Sequence, residues 1–429
     1  MWVSARIEPK RYDETSPRYA GWRVVLACFL IALFLFGFGL YGHAVYVAEL
    51  QRLRGWPTAL ISGASTLTFL ISNILATFTN ELIMRFGPKR LVLLGVAALA
   101  LSMASLAFAT QPWQLYAAFI LMSLGWIGMG VVVISTVLSF WFVRRRGLAI
   151  SIAFIGASCG GAFIVPLLVL VVGAIGFPAA MLTATAFTIV ILAPAVVTWI
   201  GPPSAGDAAE PPAQHPLPQT AAARNSISRG VVARRPAFWT ISIAFALALL
   251  VQIGFIVHQI ALLEPKIGRP GAGFAVSLTT AMALLGRLCL GMVIDRLNPR
   301  LVTAVSVVSQ AAALLTITQT DNPLVLLAAC AVFGFSIGNF ITLPPLIIQR
   351  EFEAAAFTVV MGLQTAISGT IGALGPGFIG LVLYLTGGYG AALALCIALQ
   401  LVAAVVVLCG RKQETMTGVG SEADAGASV

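Results

Sequence analysis

Charge is what this sequence has least of. Only 9% of its 429 residues are Asp, Glu, Lys or Arg, whereas a water-soluble globule carries about a quarter. With 59% apolar residues and a mean hydropathy of +0.98, the chain lacks the polar surface that water requires, so lipid is its expected solvent. Cysteine chemistry is missing too. Cys28, Cys159, Cys289, Cys330, Cys396 and Cys409 lie in or beside apolar runs, with no C-x-x-C pair and no metal-ligand spacing, so packing is their expected role and no metal or cofactor is expected. No G-x-x-x-x-G-K-[ST] phosphate loop occurs, which argues against ATP-driven transport. Acidic groups are absent from the depth of every apolar run, since Glu49, Glu81 and Glu264 all sit near run ends.

What is present is a regular alternation of long apolar runs and short charged clusters. The net charge of +10 is spread over those clusters, not gathered on one basic face, so no nucleic-acid partner is expected. Arg6, Lys10, Arg11 and Arg18 precede the first run. That run has no small-residue cleavage site and many more follow it, so it reads as a retained first helix.

A span needs about 20 apolar residues. The charge-bounded intervals Arg23 to Glu49, Arg54 to Glu81, Arg235 to Glu264, Arg269 to Asp295, Arg300 to Asp321 and Asp321 to Arg350 hold one helix each. Those from Arg90 to Arg144, Arg146 to Asp207 and Glu353 to Arg411 are too long for one. Each carries a turn signal near its middle, at Thr110 to Trp113, Gly176 to Pro178 and Thr386 to Gly388, and reads as a helical hairpin. Twelve spans are expected. Alternate loops hold twenty Lys and Arg on the side of the N-terminus against four (Arg52, Arg54, Lys266, Arg269) on the other, which predicts both termini in the cytoplasm.

The one long connection, 202–235, is rich in Pro, Ala, Gln and Ser and reads as a flexible cytoplasmic linker. It separates two six-helix bundles at 21–201 and 236–410, with cytoplasmic tails at 1–20 and 411–429. An internal repeat supports this layout. Gly39 to His43 followed by Glu49, and Gly254 to His258 followed by Glu264, both read G-x-x-x-H-x-x-x-x-x-E. The stretch from Gly156 to Pro166 with Gly176 to Ala180 is echoed by Gly369 to Pro376 with Gly388 to Ala392.

One charge lies deep. Arg287 is eight residues before Asp295, about 12 Å inward at 1.5 Å per residue. A charge at that depth faces a protein interior or wet cavity and marks a substrate path, and its guanidinium fork suits a carboxylate. His43 and His258 are candidate hydrogen-bonding or proton-relay groups. Tyr41, Gln259 and Gln364, with Gln252 and Asn339, are further polar candidates. Gly156-x-x-x-Gly160 and Gly334-x-x-x-Gly338 are expected to let helices approach closely.

Several segments resemble the major facilitator superfamily, and within it the branch of monocarboxylate porters and oxalate/formate exchangers. Asn80-Glu-Leu-Ile-Met-Arg85-Phe-Gly87-Pro-Lys89-Arg90 is similar to the signature G-x-x-x-D-R-x-G-x-[RK], with Asn80 and Met84 as departures. The second copy, Gly291-Met-Val-Ile-Asp295-Arg296-Leu-Asn-Pro-Arg300, has Asn298 for the later Gly. Trp141-Phe-Val-Arg144-Arg145-Arg146-Gly147-Leu148-Ala149 resembles the branch's opening of helix five. Gly375-Pro376-x-x-x-Gly380 with Thr386-Gly387-x-Tyr389 resembles its helix eleven, with Tyr384 where many relatives carry Asp.

The resemblance implies an all-α fold of twelve spans in two bundles about a pseudo-two-fold axis. It implies alternating access around a central site, a small-molecule substrate, and a bacterial inner-membrane location as a monomer. It places the branch's helix-eight arginine at Arg287, with Ala283 where many relatives have an acid, so a coupling proton would need His43, His258 or an end carboxylate. Arg85, Gly87, Lys89, Arg90, Gly291, Asp295, Arg296 and Arg145 become candidate gating residues of a cytoplasmic latch.

The function expected is secondary active or facilitative transport of a small organic anion such as a monocarboxylate, possible partners being a proton or an exchanged anion. The alternatives are a drug or metabolite exporter of the same fold, and a non-transporting membrane sensor or membrane enzyme. The missing intramembrane acid argues against cationic drugs. The roughly 20-residue tails leave no output domain, and no nucleophile or acid-base cluster is evident.

Overall fold

The computed structural model describes residues 14, 16, 19–201, 229–353 and 356–410, and every regular element among them is helical. The expected linker at 202–228 and most of both expected tails lie outside the described residues. α1 runs through Gly21–Phe36, a π-helical turn at Gly37–Tyr41 and His43–Arg54. α2 is Thr58–Ala76, continued by Thr79–Phe86, and α3 is Pro88–Phe108. α4 comprises Pro112–Met129 and Val131–Ser139. α5 is Arg146–Cys159, a second π-helical turn at Gly160–Ile164, and Val165–Ile175, and α6 is Phe177–Trp199.

In the second half, the 58-residue helix Pro236–Val293 contains one non-helical residue, Gly268 (φ 71, ψ 168), which divides it into α7 (236–267) and α8 (269–293). α9 is Pro299–Gln319. α10 is Pro323–Ile337, a 3-10 turn at Gly338–Ile341, and Leu343–Glu351. α11 is Phe357–Ala373 and Gly375–Thr386, and α12 is Tyr389–Cys409. Eleven uninterrupted helical stretches are long and apolar enough to span a membrane, and the Gly268 break makes twelve spans of them. This is a multi-pass membrane protein.

The punctuation is local chemistry. Proline opens α3, α4, α9 and α10 within the first turn, where its missing N–H costs nothing and its fixed φ suits the helix. At the α3/α4 turn, Gln111 and Gln114 form a reciprocal capping box that satisfies two orphan backbone donors. Among the described residues, positive φ occurs only at Gly55, Gly87, Gly176, Gly268 and Gly387, each at a turn between spans, where a side chain would strain the left-handed backbone. Four of the five form pairs under the repeat: Gly55 with Gly268, and Gly176 with Gly387. The partner of Gly87 is Asn298, which caps α9 by accepting from the Arg300 amide. An Asx cap followed by Pro299 replaces the left-handed glycine there.

The repeat persists in packing. α1 crosses α5 and α7 crosses α11, α2 meets α4 and α8 meets α10, and α3 and α9 lie against α6 and α12. A Cβ on Gly160 would come within 2.7 Å of the Gly37 amide nitrogen, and one on Gly254 within 2.8 Å of the Gly375 carbonyl oxygen. Backbone-on-backbone approach through small residues is what joins helices where lipid is as apolar as leucine. Both predicted glycine pairs serve this way: Gly156 meets the Phe29 carbonyl, while Gly334 and Gly338 meet those of Thr279 and Ala283.

The buried core is unequal at the two ends. One continuous cluster runs through the first bundle and the half of the second bundle remote from the basic loops, from Leu250 and Leu263 to Val276, Ile317, Phe333 and Ile379. A separate cluster (Phe238, Phe245, Leu290, Ile347, Val360, Val407) fills the basic end of the second bundle alone. The bundles therefore share a core at one end and are parted at the basic end. One expectation for the linker is corrected here. Its last turn is a helix, Arg229–Ala233, because Val232 is buried in the second cluster.

Candidate functional site

Two seams join the bundles. At the first, α5 meets α8: a Cβ on Gly273 would touch Val169 at 3.3 Å, and one on Gly161 would lie 2.3 Å from Thr280 and 2.8 Å from the Tyr41 ring. At the second, α2 meets α11: the Gly377 amide donates to Thr66 Oγ1 (2.8 Å) and Asn73 Nδ2 to Thr370 Oγ1 (2.9 Å). Gly380 leaves room for Ser62, whose Oγ lies 1.9 Å from where a Cβ would be.

Where the first seam reaches mid-depth, the helices are deformed. The π-helical turns of α1 and α5 pack on each other, and Trp126 Nε1 donates to the Gly39 carbonyl (3.1 Å). Such bulges re-aim side chains and recur at functional sites. Tyr41 ends the α1 bulge and lies within electrostatic range of Arg287 on α8. Arg287 is half-buried, and its Nε is sealed from solvent with no hydrogen-bond partner. Its helix is fixed by contact with α10, where a Cβ on Gly286 would lie 2.0 Å from the Phe335 carbonyl oxygen. A held guanidinium with an unused donor, beside a phenol and between two bundles, can grip a planar anion through paired N–H bonds.

The other polar candidates are not brought to this place. His43 is fully buried within the first bundle, its ring against Tyr46, Phe69 and Phe119 at 5.7, 5.0 and 4.9 Å between centroids. His258 Nε2 lies 3.0 Å from the Pro376 carbonyl oxygen and Nδ1 3.1 Å from the Tyr389 hydroxyl. A carbonyl only accepts, so Nε2 donates to it, while the Tyr389 hydroxyl, which can donate or accept, meets Nδ1. It fastens α7 to the α11 break and to α12. Each histidine thus faces its own bundle's interior. Gln259 donates to Thr279 Oγ1 and Cys330 Sγ, Gln364 to Ser368, Asn339 to Ser306 and Gln252 to Gln310, all inside the second bundle.

The expected latch residues lie at the parted end. Arg85 is exposed with its guanidinium 5.5 Å from the Phe86 ring centroid, Gly87 makes the turn, and Lys89 donates to the Val197 carbonyl of α6 (2.6 Å). Arg90 and Arg296 are exposed, Gly291 faces open space, and the Asp295 side chain lies outside the described residues. The Arg145 amide, with those of Val143 and Arg144, donates to the Glu14 carboxylate. The bonds of Lys89 and Arg145 stay within the first bundle.

Three groups have roles that the sequence does not declare. Arg300 ends the second signature copy, where a loop charge is expected, yet it is 3% exposed and binds Glu351, Thr240 and the Val407 carbonyl, tying α9 to α10, α7 and α12. Thr280 has no charge or spacing to flag it. Glu49 and Arg269 form an ion pair across the bundles; the sequence marks both as end charges, Glu49 within the repeat, and pairs neither with the other.

The profile of the Major Facilitator Superfamily matches residues 29–376. "Monocarboxylate transporter 11" of Mus musculus is 24% identical over 396 residues, 88% of this chain and 84% of that protein. "MFS-type transporter 1" of Ophiocordyceps sp. (strain BCC 1869) is 25% identical over 365 residues, 81% of this chain and 75% of that one. Among solved structures, the nucleoside transporter NupG superposes with a TM-score of 0.72 at 14% identity, covering 92% of this chain and 99% of that one.

Proposed function

The chain belongs to the Major Facilitator Superfamily, and from that premise we propose that it carries a small organic anion, a monocarboxylate or close analogue, by alternating access around Arg287. The observation that bears most weight is the sealed, unpartnered Nε of Arg287 between the bundles. A buried donor without an acceptor costs free energy until a ligand supplies one, and a carboxylate supplies it together with the opposite charge. The Tyr41 hydroxyl offers a second, neutral contact. The mouse relative's name supports a carboxylate substrate.

In this reading the basic end faces the cytoplasm, as the distribution of Lys and Arg predicts, and the conformation is inward-facing. The anion neutralises Arg287, after which the bundles rock to close the basic end and open the other. No acid pairs with Arg287 from the turn before it, where Ala283 stands. No carboxylate from that turn therefore competes with substrate for Arg287.

The test is thermal-shift stabilisation of the purified protein by a panel of monocarboxylates, comparing wild type with Arg287→Gln. Saturable stabilisation by one acid, lost in a variant that still unfolds cooperatively, is the expected result. No response from wild type, or an equal response from the variant, removes the anion assignment and leaves a transporter of unassigned substrate.

A further inference from the structure

A second carboxylate-binding position lies toward the closed end of α8. Glu49, at the far end of α1, is buried, its side chain 3% exposed, and Arg52 donates to it at 2.8 Å while Arg269 pairs with it from the other bundle. Among the described residues no other ion pair in the structure joins the bundles. Arg269 and Arg287 are 18 residues apart on one uninterrupted helix. Eighteen residues are five turns of 3.6, so both guanidiniums lie on one face, about 27 Å apart along the axis. Thr280, 11 residues from the first and 7 from the second, falls within about 20° of the same line. That face is the one the first bundle covers, through Glu49, Gly161 and Tyr41. A cavity of about 440 Å³ opens between the bundles at the same end, between Gln51, Pro57 and Thr58 and Ala261, Pro265 and Tyr389.

We propose that Arg269 is an outer receiving site for the anionic substrate, and that Glu49 is its built-in stand-in, seated on Arg269 when that end is shut and withdrawn with α1 when it opens. This rests on the reading of the protein as an alternating-access carrier of anions. A carboxylate side chain held by two guanidiniums is what a carboxylate ligand would displace or replace. The same pair closes the outer end, since burying either charge without the other is strongly unfavourable. When the bundles part, Arg269 loses its partner at the moment the outer solution gains access to it. An incoming carboxylate then meets one cation at the mouth and a second on the same helix face about 27 Å further along the axis.

Chemical rescue tests the assignment. Ser62 is fully buried in the α2/α11 seam at the closed end, so Ser62→Cys in sealed vesicles reports opening of that end to an impermeant thiol reagent added from that side. Glu49→Ala should speed labelling by more than about tenfold, because a lone buried Arg269 destabilises the closed state. Sodium acetate should then slow labelling back toward wild type while sodium chloride at equal concentration does not, and Arg269→Gln added to Glu49→Ala should abolish the acetate effect. Should Glu49→Ala fail to fold, Glu49→Gln and Arg269→Gln replace it, singly and together; the pair acting as one gate predicts that the double variant opens no more than either single one. Unchanged labelling in Glu49→Ala, acetate no better than chloride, or additive effects in the double variant overturns the proposal. None of these measurements involves Arg287, so they fail or succeed separately from the central anion site.

Discussion

Replacing Gly338 by alanine would place a methyl carbon 1.9 Å from the Ala283 carbonyl oxygen and 3.0 Å from the Arg287 amide nitrogen. The obstacle is helix backbone, which no rotamer change can move aside. To reach an ordinary contact of 3.4 Å, α10 must lift from α8 by about 1.5 Å, which forfeits much of the dispersion between them. Overpacking of this kind costs about 1–3 kcal/mol, with the rigid partner favouring the upper end, and the better helix propensity of alanine returns at most about 1 kcal/mol. Gly362, also helical, faces open space, so Gly362→Ala should be stabilising by about 0.4–1 kcal/mol. The two variants should therefore differ by about 3 kcal/mol in unfolding free energy, read as separated denaturation midpoints in one detergent. Gly338→Ala should also weaken carboxylate binding, because the displaced strip of α8 carries Arg287. Equal midpoints for the two alanines would refute the claim that backbone contact at Gly338 sets the α8/α10 distance.

Arg287→Lys keeps the charge but loses the fork, and should weaken carboxylate stabilisation by about tenfold, less than Arg287→Gln in the same titration. Tyr389→Phe strands His258 Nδ1 in the second bundle and should cost about 1–3 kcal/mol in unfolding free energy, whereas Tyr384→Phe, at a residue 68% exposed, should stay within about 0.5 kcal/mol. Arg300→Gln leaves Glu351 without its cation and should destabilise by about 3 kcal/mol, while Arg90→Gln, at the surface, should leave the melting curve unmoved.

The twelve spans are legible in the sequence because span length and turn chemistry are local. Uncharged length counts helices directly, and Gly176 and Gly387 mark turns whose backbone only glycine adopts easily. The doubled G-x-x-x-H pattern exposes the repeat, and the depth of Arg287 within its apolar run singles it out by position alone. Which face each polar residue presents is not legible. Tyr41 and His43 are two residues apart on α1, yet one lies on the seam and the other inside the bundle. A soluble helix would betray its buried face by amphipathicity. Here lipid and protein interior are equally apolar, so faces of helices such as α6 and α10 differ little in composition.

The sequence by itself determined a membrane protein of twelve helices in two related halves, because hydrophobic length and left-handed turns act within a few residues of one another. Only the tertiary structure decided that α1 and α5 bulge where Tyr41 meets Arg287, that Arg300 is buried, and that Glu49 closes on Arg269 across the bundles. Each of these depends on residues more than a hundred positions apart or on helix rotation, and both are fixed by packing that no single span encodes.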